Sequence, residues 1–165
     1  MAPAWRRLTV ADLDAVNLIA ERVHVAFGER PEVFEEKRRL YPQGCLALAL
    51  GDQVAGYVFS HPWRIGDAPA LDAFLGALPA SPDCLYLHDI AISAPARGSG
   101  AAAAAIAQLI ELASTERFMA MALVSVHGTG PFWARAGFQD AEDPSLAAKL
   151  ASYGPNARYM TKRLS

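Results

Sequence analysis

The chain has 165 residues, the size of one ordinary domain, and we predict a single domain over residues 1–165. The hydrophobic fraction of 53% includes 33 alanines, and the longest run without a charged residue has 17 residues, which is too short to span a membrane. The net charge of −2 excludes a strongly basic surface for nucleic acid.

The cysteine count and the first residues indicate a cytoplasmic protein. Cys45 and Cys84 are too few for a disulfide framework or a cysteine zinc site, and residues 1–7 lack the apolar run of a signal peptide. The four histidines show no metal-ligand spacing, so no metal is expected. Twelve arginines against three lysines, together with the alanine excess, indicate a GC-rich bacterial genome. We therefore expect a cytoplasmic bacterial protein that binds neither membrane nor nucleic acid.

The first half of the chain predicts a strand, two helices and a hairpin. Gly28 ends the first helical run, and the charged residues at 32–39 predict a solvated face on the second helix. Glycines and prolines over 61–84 predict a long loop with one helical turn near 71–75. The predicted elements are a strand at 5–9, helices at 13–27 and 31–41, and hairpin strands at 45–50 and 53–60.

Strands and helices alternate in the second half. Gly137 fits the position just after a short helix, and Asp143 is placed to cap the next one. Together with the early hairpin, this order predicts a mixed α/β or α+β fold. The predicted elements are strands at 85–92, 118–126 and 158–164, a strand beginning at 138, a turn at 93–99, and helices at 100–114, 129–136 and 144–150.

The turn after residues 85–92 predicts an anion site. Arg97 and the glycines of Gly98-Ser99-Gly100 lead directly into a helix of small residues. The first turn of a helix carries unpaired N–H groups and the positive end of the dipole, and glycines let a phosphate approach them closely. We therefore expect a diphosphate at residues 97–102. The alternative is a glycine-rich turn that only packs an alanine helix tightly on the sheet.

Two phosphate-binding classes fit this turn less well. Residues 98–103 match the dinucleotide fingerprint, but residues 93–97 separate them from the strand, and no acid ends the next strand at 125–127. An NAD(P)-dependent oxidoreductase is therefore a third, weaker hypothesis. A P-loop is excluded because no Gly-Lys-Ser/Thr occurs.

Two blocks of sequence resemble the GCN5-related N-acetyltransferase (GNAT) family. The first is Arg97-Gly98-Ser99-Gly100-Ala101-Ala102 after a strand ending Ile90-Ala91-Ile92. The second is the aromatic pair Phe132-Trp133 four residues before Gly137-Phe138. The resemblance implies a mixed, mostly antiparallel central sheet flanked by helices, in which two central strands splay apart.

The resemblance also implies acetyl-CoA, or another acyl-CoA, as co-substrate. Its pantetheine arm would pair with the backbone of residues 90–92, its diphosphate would lie on the amides of residues 97–102, and an N–H near Ile92 would stabilise the oxyanion. The aromatic pair would pack around the arm. The residues assigned to the cofactor are Ile90, Ala91, Ile92, Arg97, Gly98, Ser99, Gly100, Ala101, Ala102, Phe132 and Trp133.

The candidate bases are Asp89 and His88, next to the expected thioester site. Neighbours on a strand point to opposite faces, so only one of them can reach the thioester unless a β-bulge intervenes. The alternative is a hydrogen-bonded structural pair that ties the strand to the loop over 61–84.

The candidate acid is where the sequence departs from the family. Many members carry tyrosine second in the aromatic pair, but here the residue is Trp133, whose indole N–H is not a useful acid. His127, Ser125 and Tyr153 are alternatives, and the thiolate can also leave unassisted. The last alternative is a protein that binds acyl-CoA without fast chemistry.

We therefore predict an N-acetyltransferase that moves an acetyl or other acyl group to an amine of a small molecule or peptide, with Asp89, His88 and His127 as candidate catalytic residues. The alternative is a catalytically weak acyl-CoA-binding regulatory module. The acceptor site is expected where the second helix, the loop over 61–84 and the final turn meet. Exposed strand edges make a homodimer a further expectation.

Overall fold

A computed structural model describes residues 2–24, 29–141 and 143–164. Within them the chain forms a seven-stranded sheet in the order β1-β2-β3-β4-β5-β7-β6. The strands are β1 Ala4–Arg7, β2 Cys45–Leu50, β3 Gln53–Trp63, β4 Cys84–Ile92, β5 Ala120–Ser125, β6 Gln139–Asp140 and β7 Arg158–Arg163, and the α-helices are α1 Leu13–Val23, α2 Pro31–Leu40, α3 Ala101–Thr115, α4 Gly130–Arg135 and α5 Ala147–Ser152.

The sheet is antiparallel except between β4 and β5, which run parallel. A parallel pair needs a crossover, and α3 supplies it. Leu109 of α3 packs on one face with Leu85 and Leu87, while Val16 of α1 and Phe34 of α2 pack on the other. The mixed, mostly antiparallel sheet flanked by helices is confirmed. None of the helices in the described part of the chain is long and apolar enough to cross a membrane.

The two parallel strands, β4 and β5, pair over only part of their length and then diverge. Their paired residues run from Cys84 with Ala120 to Leu87 with Leu123. Beyond that point β4 continues to Ile92, and β5 keeps only its pairing with β7, which runs along its other side from Ala120 to Ser125. The prediction of splayed central strands is confirmed, and a gap opens between residues 88–92 and the end of β5.

A β-bulge in β4 overturns the alternation expected for His88 and Asp89. Phe59 pairs with Asp89, but the next residue of β3, Ser60, pairs with Leu87, so His88 is the extra residue of the bulge. His88 packs against the ring of Tyr86, and Asp89 accepts a hydrogen bond from Tyr57 of the neighbouring strand. Both side chains therefore lie on the α1/α2 face of the sheet.

The loop after the hairpin is shorter and less regular than predicted. β3 continues to Trp63 because the rings of His61 and Trp63 pack together and His61 packs on Tyr86. Residues 71–75 form no helical turn. Instead Glu36 accepts hydrogen bonds from the N–H groups of Leu75 and Gly76, at 2.6 and 3.0 Å.

The predicted solvated face of α2 is also wrong in part. Glu36 is buried because it binds the loop, and the Lys37 side chain is fully buried beside Glu29. Of the first helical run, α1 ends at Val23, and the predicted stop at Gly28 lies outside the described residues. The remaining predicted elements are present, with ends that differ by a few residues.

Candidate active site

A cleft of about 240 Å³ lies in the gap between β4 and β5. Its walls are mostly apolar, with Ile90 and Ile92 on one side and Leu123 and Val124 on the other. Ten of the sequence-predicted site residues line it, namely His88, Asp89, Ile90, Ala91, Ile92, Arg97, Ala102, His127, Phe132 and Trp133. The other four, Gly98, Ser99, Gly100 and Ala101, belong to the turn and helix start between Arg97 and Ala102.

The backbone of β4 presents a free strand edge to this cleft. The Ser93 N–H donates to the Ala55 carbonyl at 2.8 Å, so alternate residues of β4 bond to β3. By the same alternation the peptide groups of Ile90 and Ile92 face away from β3 and into the gap. Arg97 Nε donates to the Ile92 carbonyl at 3.1 Å, which places its guanidinium at the end of this edge.

The glycine-rich turn between β4 and α3 has a backbone conformation that favours glycine and leaves open space beside it. Gly98 and Gly100 have positive φ angles of +76° and +83°, and Gly100 is the N-cap of the 15-residue helix α3. A Cβ on either glycine would meet no described atom within 4 Å, so both face open space. The first N–H groups of α3 have no partner within the helix, and its dipole adds positive potential there. The turn therefore presents backbone N–H groups and the positive end of a helix dipole to open space.

An edge strand supports the start of α3, which the sequence did not suggest. The Trp5 indole Nε1 donates to the Ala101 carbonyl at 2.8 Å. Trp5 lies on β1, at the outer edge of the sheet. The glycine-rich turn is thus held from β1 as well as from β4.

A chain of polar side chains runs along one wall of the cleft. The two oxygens of Asp89 accept hydrogen bonds from the Tyr57 hydroxyl at 2.7 Å and from His24 Nε2 at 2.8 Å. His24 Nδ1 then lies 3.3 Å from His127 Nε2, and the two rings are stacked with centroids 5.5 Å apart. His24, His127 and Asp89 all line the cleft.

The charges around His24 favour its protonated form. Burial disfavours the imidazolium, but the hydrogen bond to Asp89 and the charges of Asp89 and Glu29 outweigh it, so the pKa of His24 is raised above its usual 6.5. Sequence reasoning missed His24. It is the C-cap of α1, and its partner Asp89 lies 65 residues away, so no local pattern marks it.

A second, more deeply buried group of charges lies beside the first. His88 Nε2 donates to Glu29 Oε1 at 2.8 Å, and Lys37 Nζ lies 3.8 Å from Glu29 Oε2. Burial raises the pKa of Glu29, but the charge and hydrogen bond of His88 and the charge of Lys37 outweigh it, so this pKa is lowered. Burial lowers the pKa of Lys37 against the charges of Glu29 and Glu36.

The alternative acids occupy different surroundings. Tyr153 is buried, which raises its pKa to about 12, and its hydroxyl donates to the Pro69 carbonyl. Ser125 is buried, and its Oγ has no hydrogen-bond partner among the described residues. His127 is exposed at the cleft, whereas Trp133, 6% exposed, packs in the core against the rings of its neighbours.

A smaller cavity of about 40 Å³ adjoins the cleft. It shares His24, His88, Asp89 and His127 with the cleft, so a molecule there would face the same polar side chains. It also shares Val124 and Val126 with the cleft, and its other walls are Glu29 before α2, Leu71 of the loop and Tyr153 before β7. The loop and the final turn, two of the three parts expected to form the acceptor site, therefore meet at this cavity, whereas no residue of α2 lines it.

A mixed sheet whose parallel central strands splay beside a glycine-rich helix start is the fold of the GNAT acetyltransferases. Ard1 from Thermoplasma volcanium is 14% identical at a TM-score of 0.75, covering 100% of this chain and 99% of that one. The ribosomal-protein-S18-alanine N-acetyltransferase from Escherichia coli is 16% identical at a TM-score of 0.70, covering 99% of this chain and 94% of that one. N-acetylglutamate synthase from Neisseria gonorrhoeae, solved with coenzyme A and N-acetyl-glutamate, is 17% identical at a TM-score of 0.75, covering 100% of this chain and 36% of that one.

The sequence identifies the family of the protein, whereas these structures, at identities of 14–17%, show the fold alone. Residues 12–138 match the acetyltransferase (GNAT) family. The chain belongs to this family. No curated protein matches the sequence.

Proposed function

We propose that the protein is a cytoplasmic bacterial N-acetyltransferase that moves an acetyl group from acetyl-CoA to an amine of a small molecule or peptide. The observation that carries the proposal is the cleft between β4 and β5, whose free strand edge ends at a glycine-rich helix start. Membership of the GNAT family supports the reaction type. Solved relatives in complex with coenzyme A support the co-substrate.

The residues of the cleft fit the parts of acetyl-CoA. The N–H groups of Ile90 and Ile92 and the Ile90 carbonyl face the gap and can pair with the amides of an extended pantetheine arm. The N–H groups from Gly98 to Ala102 can hold the diphosphate, and Arg97 adds a positive charge beside them. Phe132 can pack on the arm from α4.

The acceptor amine enters from the smaller cavity in this proposal. Glu29 and Asp89 give that cavity two buried carboxylates, which attract an ammonium group. Most of the rate enhancement comes from holding amine and thioester together, and the Ile92 N–H stabilises the oxyanion. Naa50 from Arabidopsis thaliana, solved with the bisubstrate analogue CoA-Ac-MVNAL, and N-acetylglutamate synthase, solved with N-acetyl-glutamate, support both peptides and amino acids as acceptor classes.

The experiment measures thiol release from acetyl-CoA across a panel of amines, beside a calorimetric titration with CoA. The panel holds amino acids, short peptides with free N-termini and aliphatic diamines. We expect CoA to bind and thiol release to depend on at least one amine. No CoA binding would refute the proposal.

A second candidate is the weak acyl-CoA-binding module, which Trp133 favours because the family's common tyrosine acid is replaced by a buried indole. Tight CoA binding with no amine-dependent release would support this candidate. The same pair of measurements therefore separates the two functions.

A further inference from the structure

We propose that His24, His127 and Asp89 form a proton relay in which His127 accepts the proton of the acceptor amine and His24 accepts the proton that His127 releases. The inference rests on the proposed acetyl transfer and adds to it a residue, His24, that carries the proton away from the reaction. It also changes the role of Asp89 from base to positioning residue.

The hydrogen bonds define which nitrogen of His24 can act. Asp89 accepts a hydrogen bond from Nε2 at 2.8 Å, so Nε2 carries a proton and Nδ1 is left as the acceptor. Nδ1 lies 3.3 Å from His127 Nε2. His127 is exposed at the cleft, whereas the side chains of His24 and Asp89 are only 13% and 11% exposed, so His127 is the member of the relay that an amine can reach.

Asp89 is poorly placed to be the base itself. Each of its oxygens already accepts a short hydrogen bond, one from Tyr57 and one from His24, and its side chain is 11% exposed. Together these bonds hold the carboxylate in one orientation. Asp89 therefore orients His24 and stabilises its positive charge, as a carboxylate behind a catalytic imidazole does.

His88, the other candidate base, is separated from the relay. Its Nε2 donates to Glu29, and its side chain is 1% exposed beneath the bulge. Both residues line the cleft wall, but His88 is hydrogen-bonded to Glu29 and Asp89 is hydrogen-bonded to His24. The bulge thus places two neighbouring residues in two separate networks.

The groups that face His24 from each packed element determine its charge. They are Asp89 of β4, Glu29 before α2 and His127 after β5, and Tyr57 of β3 acts through Asp89. The negative charges of Asp89 and Glu29 favour an imidazolium at His24, in agreement with its raised pKa, so they attract a proton toward the inner end of the relay.

The step balances in atoms and charge. An ammonium R–NH3+ gives one proton to His127, which passes one to His24. The amine nitrogen then forms the C–N bond as the C–S bond of the thioester breaks. The nitrogen loses a second proton, which neutralises the CoA thiolate. The products are the amide, the free thiol and a protonated His24 that returns its proton to solvent.

The test combines kinetics with a measurement that does not need activity. We expect His24→Gln to lower kcat by about 10²-fold to 10⁴-fold without changing the affinity for CoA. In Asp89→Asn, loss of the negative charge lowers the pKa of His24, so the acid limb of the kcat/KM profile moves to lower pH. Asp52→Asn, in the exposed turn of the hairpin, is the matched control and keeps the wild-type profile.

NMR titration of the imidazole signals supplies the second measurement. We expect His24 to titrate above 6.5 in the wild type and at lower pH in Asp89→Asn. An active enzyme whose His24→Gln variant keeps the wild-type kcat and pH profile would overturn the relay alone, as would a His24 titration unchanged by Asp89→Asn. A wild type that releases no thiol with any amine overturns the relay together with the proposed function.

Discussion

Replacing Gly100 with valine should have two effects of different size, a small loss of stability from backbone strain and a larger loss of CoA affinity at the proposed diphosphate site. Gly100 has φ +83° at the N-cap of α3, and a Cβ there would meet no described atom within 4 Å. The substitution therefore creates no clash. Its stability cost is the left-handed backbone, about 1–2 kcal/mol, and more for a β-branched side chain. At this chain length such a cost lowers Tm by about 2–8 °C.

The effect on the ligand should be larger than the effect on the fold. The valine side chain would stand beside the free N–H groups of residues 101–103, where the diphosphate has to approach. Losing one charge-assisted hydrogen bond costs about 1.5–3 kcal/mol. Since about 1.4 kcal/mol is a factor of ten, the Kd for CoA should rise about tenfold to a hundredfold.

Gly76→Val is the matched control, because Gly76 has φ +79° and its Cβ would also meet no described atom within 4 Å. Calorimetry with CoA and with pantetheine, which lacks the diphosphate, completes the assay. We expect Gly100→Val to weaken the binding of CoA far more than the binding of pantetheine. Gly76→Val should leave both affinities unchanged. Equal CoA affinity in the two variants would show that the diphosphate does not lie on this turn.

Three further predictions concern stability and reactivity. Asp12→Asn should lower the free energy of unfolding by about 1–2 kcal/mol at pH 7, because the hydrogen bond from Arg6 holds the pKa of Asp12 at about 2. The difference between wild type and variant should fade as the pH falls from 4 to 2. Urea unfolding at a series of acid pH values would check this. Lys37→Met should lower Tm at pH 7, because it removes the buried cation beside Glu29, and should lose the gain in stability that the wild type shows as the pH rises toward 10, since burial lowers the pKa of Lys37; an unchanged Tm would contradict this. Both cysteines are buried with pKa values raised to about 12, so iodoacetamide at pH 8 should leave the folded protein unmodified by mass spectrometry, and rapid labelling of the folded protein would refute this.

The glycine-rich turn assigned to the cofactor was predictable as a structural element because its signals are local. The turn Gly98-Ser99-Gly100 has two glycines whose φ angles are positive, and it lies directly between a strand and a helix. Sequence periodicity reports such continuous segments well. The splayed strands, in contrast, followed from the family resemblance and not from periodicity.

The acceptor side was not predictable because long-range contacts build it. His24 and Asp89 meet across 65 residues, and Glu29 and His88 meet across 59. The bulge at His88 depends on a register shift against β3 that neither strand signals by itself. Glu36 and Lys37 belong to a charged run typical of a solvent-facing helix, and only their loop and Glu29 contacts explain their burial.

The free edge of β4 has a consequence for how the protein avoids other chains. An unpaired strand edge on the outside of a sheet invites another strand and is an aggregation hazard. Here the edge at Ile90 and Ile92 lies inside the cleft, with the end of β5 as the opposite wall, and Arg97 already donates to one of its carbonyls. An edge enclosed in this way is harder for the sheet of another folded chain to reach than an edge on the outside. The splay of β4 and β5 thus exposes a strand edge inside the cleft without adding one to the outside of the sheet.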